Sequence, residues 1–306
     1  MEVTPNISDW EEMLHIHLAR PESFKNNLDT ENEDFKNLPE RLGNFLIDTG
    51  FIQGMEYTNR WHDEYNSRSK KIFMGLHNMP ENARQRFIVM LGDSFPLDGD
   101  ETKRYTILHE TSHAYQEYLY HKELSENNVG INNGSAANIW AQEVLKGTMD
   151  STYAILWKEM YDIRMRDLGR THGLSTFGSV ENYTIPDNEE ESDRKEEKER
   201  KKRENKRSQA AIRAIEDANE LVNMYLWDPT YLQNFLRYIS GQLHFSDEQI
   251  YNEGFVKITK EYANILLELI GNYVEEMMKT ISKHEDSKER GLRTRKVFNH
   301  TLIQTL

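Results

Sequence analysis

Thr106-Ile107-Leu108-His109-Glu110-Thr111-Ser112-His113-Ala114-Tyr115 organises the reading of this chain. The segment holds no proline or glycine, Ile107 and Leu108 lead into it, and Ala114 follows. It belongs to a helix expected from Glu101 to about Tyr120. On a helix, positions i and i+4 share a face, so His109 and His113 can offer imidazole nitrogens to one metal ion. Glu110 lies beside that face, within reach of a water on the metal. Two neutral imidazoles plus a carboxylate suit zinc, which lowers the pKa of bound water toward ~7. Glu110 would then take the proton as the water attacks a carbonyl, which is amide hydrolysis without a covalent intermediate. A surface helix with two incidental histidines is the plain alternative.

Outward from this helix, Arg86–Leu91 reads RFIVML, a short apolar run ended by Gly92, and is the best strand candidate. An extended substrate could pair with such an edge. Helices are expected at Asp9–Ala19 and Pro39–Thr49, and Asp98-Gly99-Asp100 punctuates before the histidine helix. Ser125–Asn138 is rich in Asn, Gly and Ser and reads as a loop. A second helical run, Ile139–Asp167, is open to interruption at Gly147-Thr148, and Gly169–Asn188 reads as another loop. Residues 189–207 carry eight acids and nine bases, the pattern of a solvated helix or linker. Beyond it Ile212, Ile215, Leu221, Val222, Tyr225 and Leu226 fall on one helical face, which Asp228-Pro229 ends. Ser246-Asp247-Glu248-Gln249 matches a capping box. It precedes a long stripe of Tyr262, Ile265, Leu266, Leu269, Ile270, Tyr273, Val274 and Met277. Such stripes form core or helix–helix interfaces, so the C-terminal helices are expected to pack internally or to receive a helical partner.

HExxH with these flanks resembles the zincin metallopeptidases. Downstream, Gly147-Thr148-Met149-Asp150-Ser151-Thr152-Tyr153-Ala154 resembles the GTxDxxYG signature of the aspzincins, the deuterolysin and peptidyl-lysine metalloendopeptidase group, with Ala154 in place of the final Gly. Carried over by position, the resemblance implies Asp150 as third zinc ligand and Tyr153 as the group that stabilises the transition state. The competing ligand is Glu143, a glutamate on a helix after HExxH as in gluzincins. Glu117, four residues past His113, is expected to be solvated or to support a ligand. Leu119 stands where a metzincin carries its third histidine, and the cysteine ligand of a peptide deformylase has no counterpart. For Tyr153 the plain alternative is a core aromatic.

The resemblance implies an α+β, predominantly α, architecture: a zincin-like catalytic domain with a small sheet over 1–188, a charged linker over 189–207 and a helical region over 208–306. Composition narrows the function classes further. Net charge is −14, and the first sixty residues hold five Lys/Arg against twelve Asp/Glu, which disfavours a nucleic-acid backbone as partner. The chain has no cysteine, which removes disulfides, cysteine zinc sites and thiol nucleophiles. No run of apolar residues spans a bilayer, and Met1-Glu2-Val3-Thr4-Pro5 lacks the features of a secretory signal. The expected function is a zinc-dependent endopeptidase acting on a protein or peptide. It would work in its own cytoplasm or as an effector delivered to another cell's cytosol. The rival is a catalytically silent zincin-type binding or sensor protein.

Overall fold

A computed structural model describes residues 7–58, 73–77, 86–92, 99–131, 136–166, 195–243 and 257–304. Helices account for most of them, so the predominantly α expectation holds. In chain order they are α1 (Ile7–Leu18), α2 (Glu22–Asn27), α3 (Glu33–Lys36), α4 (Leu38–Thr49), α5 (Asp100–Glu126), α6 (Ala136–Lys146), α7 (Thr152–Arg166), α8 (Lys195–Trp227), α9 (Pro229–Ile239) and α10 (Lys260–Gln304). Three strands, β1 (Gly54–Thr58), β2 (Phe73–His77) and β3 (Arg86–Gly92), form one small sheet. By contacts the chain divides into two compact units, Met1–Leu119 with Val274–Leu306, and Tyr120–Tyr273.

In the first unit the helices form where apolar side chains recur with the helical period. Trp10, Leu14 and Leu18 line the buried side of α1, and Leu38, Leu42, Phe45 and Leu46 that of α4. Gly43 is required there: a Cβ at this position would sit 2.5 Å from Cδ1 of Leu18. α4 stops at Gly50, whose φ of 80° suits the left-handed turn that closes the helix. Arg41 on α4 makes a two-pronged bond to Glu285 at 3.0 and 2.6 Å and donates to Ser282 Oγ at 2.9 Å, tying α4 to the distal part of α10. Arg20 stacks over Phe35 and donates to the carbonyls of Phe35 and Lys36, which closes α3.

The predicted strand is present, and it is the centre of the sheet. β3 pairs parallel with β1 (Gly54 opposite Ile88) and antiparallel with β2 (Gly75 opposite Ile88), giving the order β1-β3-β2.

The second unit is built around α7 and α8. The predicted break at Gly147 is real and has a clear cause. Gly147 takes φ 77°, its N–H donates to Val144 O at 3.0 Å, and Thr148 N–H donates to Glu143 O at 3.1 Å. That pair of bonds is a Schellman closure of α6. Ser151 Oγ then accepts from Ala154 N–H at 3.1 Å, so Ser151 caps α7. α7 buries Tyr153, Leu156, Trp157, Met160, Ile163 and Arg164, and α8 answers with the small residues Ala210, Ala214 and Ala218, all fully buried. Trp157 Nε1–H reaches Ala211 O at 3.4 Å across this contact.

Some expectations needed adjustment. α5 extends past Tyr120 to Glu126, and the helix ends on Asn128 with φ 56°. The charged run from Lys195 onward is the first part of α8. Ile212 and Ile265, placed on buried faces by their periodicity, are 50% and 54% exposed. From Asp217 to Met224 α8 is buried all round, which an amphipathic pattern does not anticipate. Asp228 caps α9 by accepting from Thr230 N–H at 2.8 Å, with Pro229 at the first helical position, so Asp228-Pro229 ends one helix and starts the next. The capping box at 246–249, the loop at 169–188 and residues 189–194 lie outside the described residues. No helix among the described residues is long and apolar enough to cross a membrane.

Candidate metal centre

The HExxH segment lies inside α5, where its sequence keeps the helix regular. Ile107, Leu108, Ala114 and Tyr115 are buried on the core side. The hydroxyls of Thr111 and Ser112, also buried, donate back to the carbonyls of Ile107 and Leu108 at 2.7 and 2.9 Å. Those donors are therefore satisfied within the helix and do not compete for the histidines. His109 is 7% exposed and Glu110 4%. The two imidazoles are neighbours as the i, i+4 spacing requires, with ring centroids 4.8 Å apart and planes at 83°.

The tautomer of His113 follows from its neighbour. Its Nδ1 lies 2.9 Å from Oε1 of Gln116, one turn on and itself buried. With Oε1 as acceptor, Nδ1 carries the hydrogen and Nε2 keeps its lone pair for a metal. Glu117 lies on the same face, and burial pushes its carboxyl up to about 7 despite the opposing charge of His113.

Two imidazoles on one helical face are the start of a catalytic zinc donor set, which takes one further protein ligand and keeps a position for water or substrate. Imidazole nitrogen suits zinc. Hard cations such as calcium and magnesium prefer oxygen ligands throughout.

The structure brings His109 and His113 together as the sequence predicts, with Glu110 between them on α5. Asp150 is exposed in the turn between α6 and α7, just ahead of the Ser151 cap. Glu143 accepts from Lys146 Nζ at 2.6 Å and lies 2.8 Å from Thr148 Oγ1, bonds that hold its carboxyl below the usual range and finish the end of α6. The Gly-Thr-x-Asp-Ser segment therefore works as a helix stop followed by a helix start.

Tyr153 is 1% exposed within an aromatic cluster. Its ring centroid is 5.3 Å from those of Trp140 and Tyr273, and its hydroxyl is 3.2 Å from that of Tyr120. The same cluster holds Glu123, which accepts from Trp140 Nε1–H at 2.7 Å.

On α8, Asp217, Asn219, Glu220 and Asn223 interrupt a run otherwise made of Ala, Ile, Leu and Val. All four are 0–1% exposed. Polar groups are buried at such density only where something local uses them.

The chain matches no protein-family model, no curated protein and no solved structure.

Proposed function

We propose that this protein is a zinc-dependent hydrolase that cleaves peptide bonds, with His109 and His113 as metal ligands and Glu110 serving as general base. The observation that carries this reading is the HExxH segment lying within one regular helix, its two imidazoles neighbours with ring centroids 4.8 Å apart. A zinc ion held there supplies a Lewis acid and a water acidic enough to be deprotonated near neutral pH. Glu110 follows His109 directly and is almost fully buried, a setting in which a carboxylate can receive a proton from the attacking water and return it to the leaving amine. Gln116 keeps His113 in the ligating tautomer.

The test is a pair of measurements on wild type and Glu110→Gln after dialysis. Both proteins are expected to retain one zinc, and peptide hydrolysis is expected to fall by about 10²-fold or more in the variant. Stoichiometric zinc with equal hydrolysis in both would remove Glu110 from the chemistry. Stoichiometric zinc with no hydrolysis of any protein in either would favour a silent binding protein.

A further inference from the structure

The buried ion pair between α7 and α8 has more donors than its carboxylate can use. Asp217 of α8 is fully buried against Arg164 of α7, itself 1% exposed. The guanidinium grips the carboxylate side-on, with Nε to Oδ2 at 2.6 Å and Nη2 to Oδ1 at 2.8 Å. A guanidinium carries five N–H donors, and this fork engages two of them. Nη1 of Arg164 is buried with no hydrogen-bond partner among the described residues. The end-on edge, made by Nη1 and the second N–H of Nη2, is left over, and it has the shape of a second fork.

Arg213 brings another cation to the pair. It stands four residues before Asp217 on α8, so the two side chains lie one above the other on one face. Arg213 is half-buried and has neither a hydrogen bond nor an ion pair among the described residues. Burial and the charge of Arg164 lower its pKa, and Asp217 opposes them without cancelling them. Both helices belong to the same compact unit, and Trp157 Nε1–H of α7 reaches Ala211 O of α8 at 3.4 Å close by.

The local charges do not balance. Two guanidiniums share one carboxylate, and an uncompensated charge away from water is costly, as is an unpaired buried donor. A pair that served packing alone would be better covered by an apolar side chain at position 213. We propose that Arg164 and Arg213 form a binding site for a small carboxylate, held on the end-on edge of Arg164 and closed from the solvent side by Arg213. The site stands apart from the metal reading above. A single negative charge neutralises the excess, and a planar carboxylate matches a planar fork. A phosphate dianion overshoots the charge, and chloride presents one centre where the fork takes two oxygens. Since Nη1 is shielded, entry requires the Arg213 side chain to swing outward, a motion open to a long side chain whose tip reaches solvent.

The probe is acetate, added to the full chain at constant ionic strength. Binding is followed by NMR line broadening of the acetate methyl signal and by the urea midpoint. Wild type is expected to bind one acetate per chain with a millimolar dissociation constant, the strength proper to so small a ligand, and to gain urea resistance as acetate is added. Arg213→Gln leaves the fork between Arg164 and Asp217 in place. It is expected to fold, to bind acetate at least about tenfold more weakly and to lose the acetate-dependent gain. Lys158→Gln removes a cation of α7 already paired with Asp162 and is expected to bind acetate as wild type does. Equal acetate binding in wild type and Arg213→Gln would overturn the site. Tighter binding of chloride or inorganic phosphate than of acetate would overturn its ligand class. No saturable acetate binding in wild type through the millimolar range would also overturn the proposal and leave Nη1 to a buried water.

Discussion

Gln116 accepts a hydrogen bond at 2.9 Å from Nδ1 of His113, three residues before it on α5. The bond settles which ring nitrogen carries the proton and holds the ring at a fixed tilt. Partners of this kind commonly contribute 10–100-fold to metal affinity. Gln116→Ala is expected to fold and to bind zinc roughly 10-fold more weakly, measured by competition with a chelator. An unchanged zinc affinity would show that the helix alone orients His113.

Tyr153→Phe separates a catalytic phenol from a core ring. The hydroxyl meets that of Tyr120, and the ring packs on Trp140 and Tyr273. The variant keeps the ring contacts and loses one buried hydrogen bond, so it is expected to lose about 0.5–1.5 kcal/mol of stability. Hydrolysis is expected to stay within a few-fold of wild type. A kcat lowered at least about tenfold in a folded, zinc-loaded protein would restore the oxyanion role that the GTxDxxY resemblance implies.

Glu123 links the end of α5 to α6 and gives a pH signature. Burial raises its pKa above the ordinary 4.5, against the lowering influence of hydrogen bonds from Ser151 and Trp140. A carboxyl whose pKa is higher folded than unfolded contributes stability that is fully present below about 4.5 and lost as pH rises through the folded value. Glu123→Gln keeps an oxygen for Trp140 and removes the titration. Relative to wild type, the variant is expected to gain stability as pH rises above 4.5, by at most about 1.4 kcal/mol per pH unit. Urea unfolding of the metal-free proteins across that range checks it, and parallel pH profiles would contradict it.

Much of the helical layout was legible because local signals were strong. Arg86–Leu91 carried the central strand, Gly147 the left-handed stop, and Asp228-Pro229 a helix boundary. His109, Glu110 and His113 were legible because one helix fixes their spacing. The buried polar residues from Asp217 to Asn223 were not, since a pattern reading assigns charge to the surface. The Gly147–Ser151 stretch carries a second, local meaning: Gly, Thr and Ser at those spacings also serve helix closure and capping, and here local geometry uses them that way. Ile212 and Ile265 show that a helical apolar stripe marks a face without saying how wide its covered part is.

The central claim is that His109 and His113 hold a catalytic zinc ion. Zinc content after dialysis, measured side by side on wild type, His113→Ala and Glu110→Gln, tests it most directly. Wild type and Glu110→Gln are each expected to keep one zinc per chain, whereas His113→Ala is expected to lose most of it while remaining helical. No zinc in wild type, or full zinc in His113→Ala, would contradict the claim.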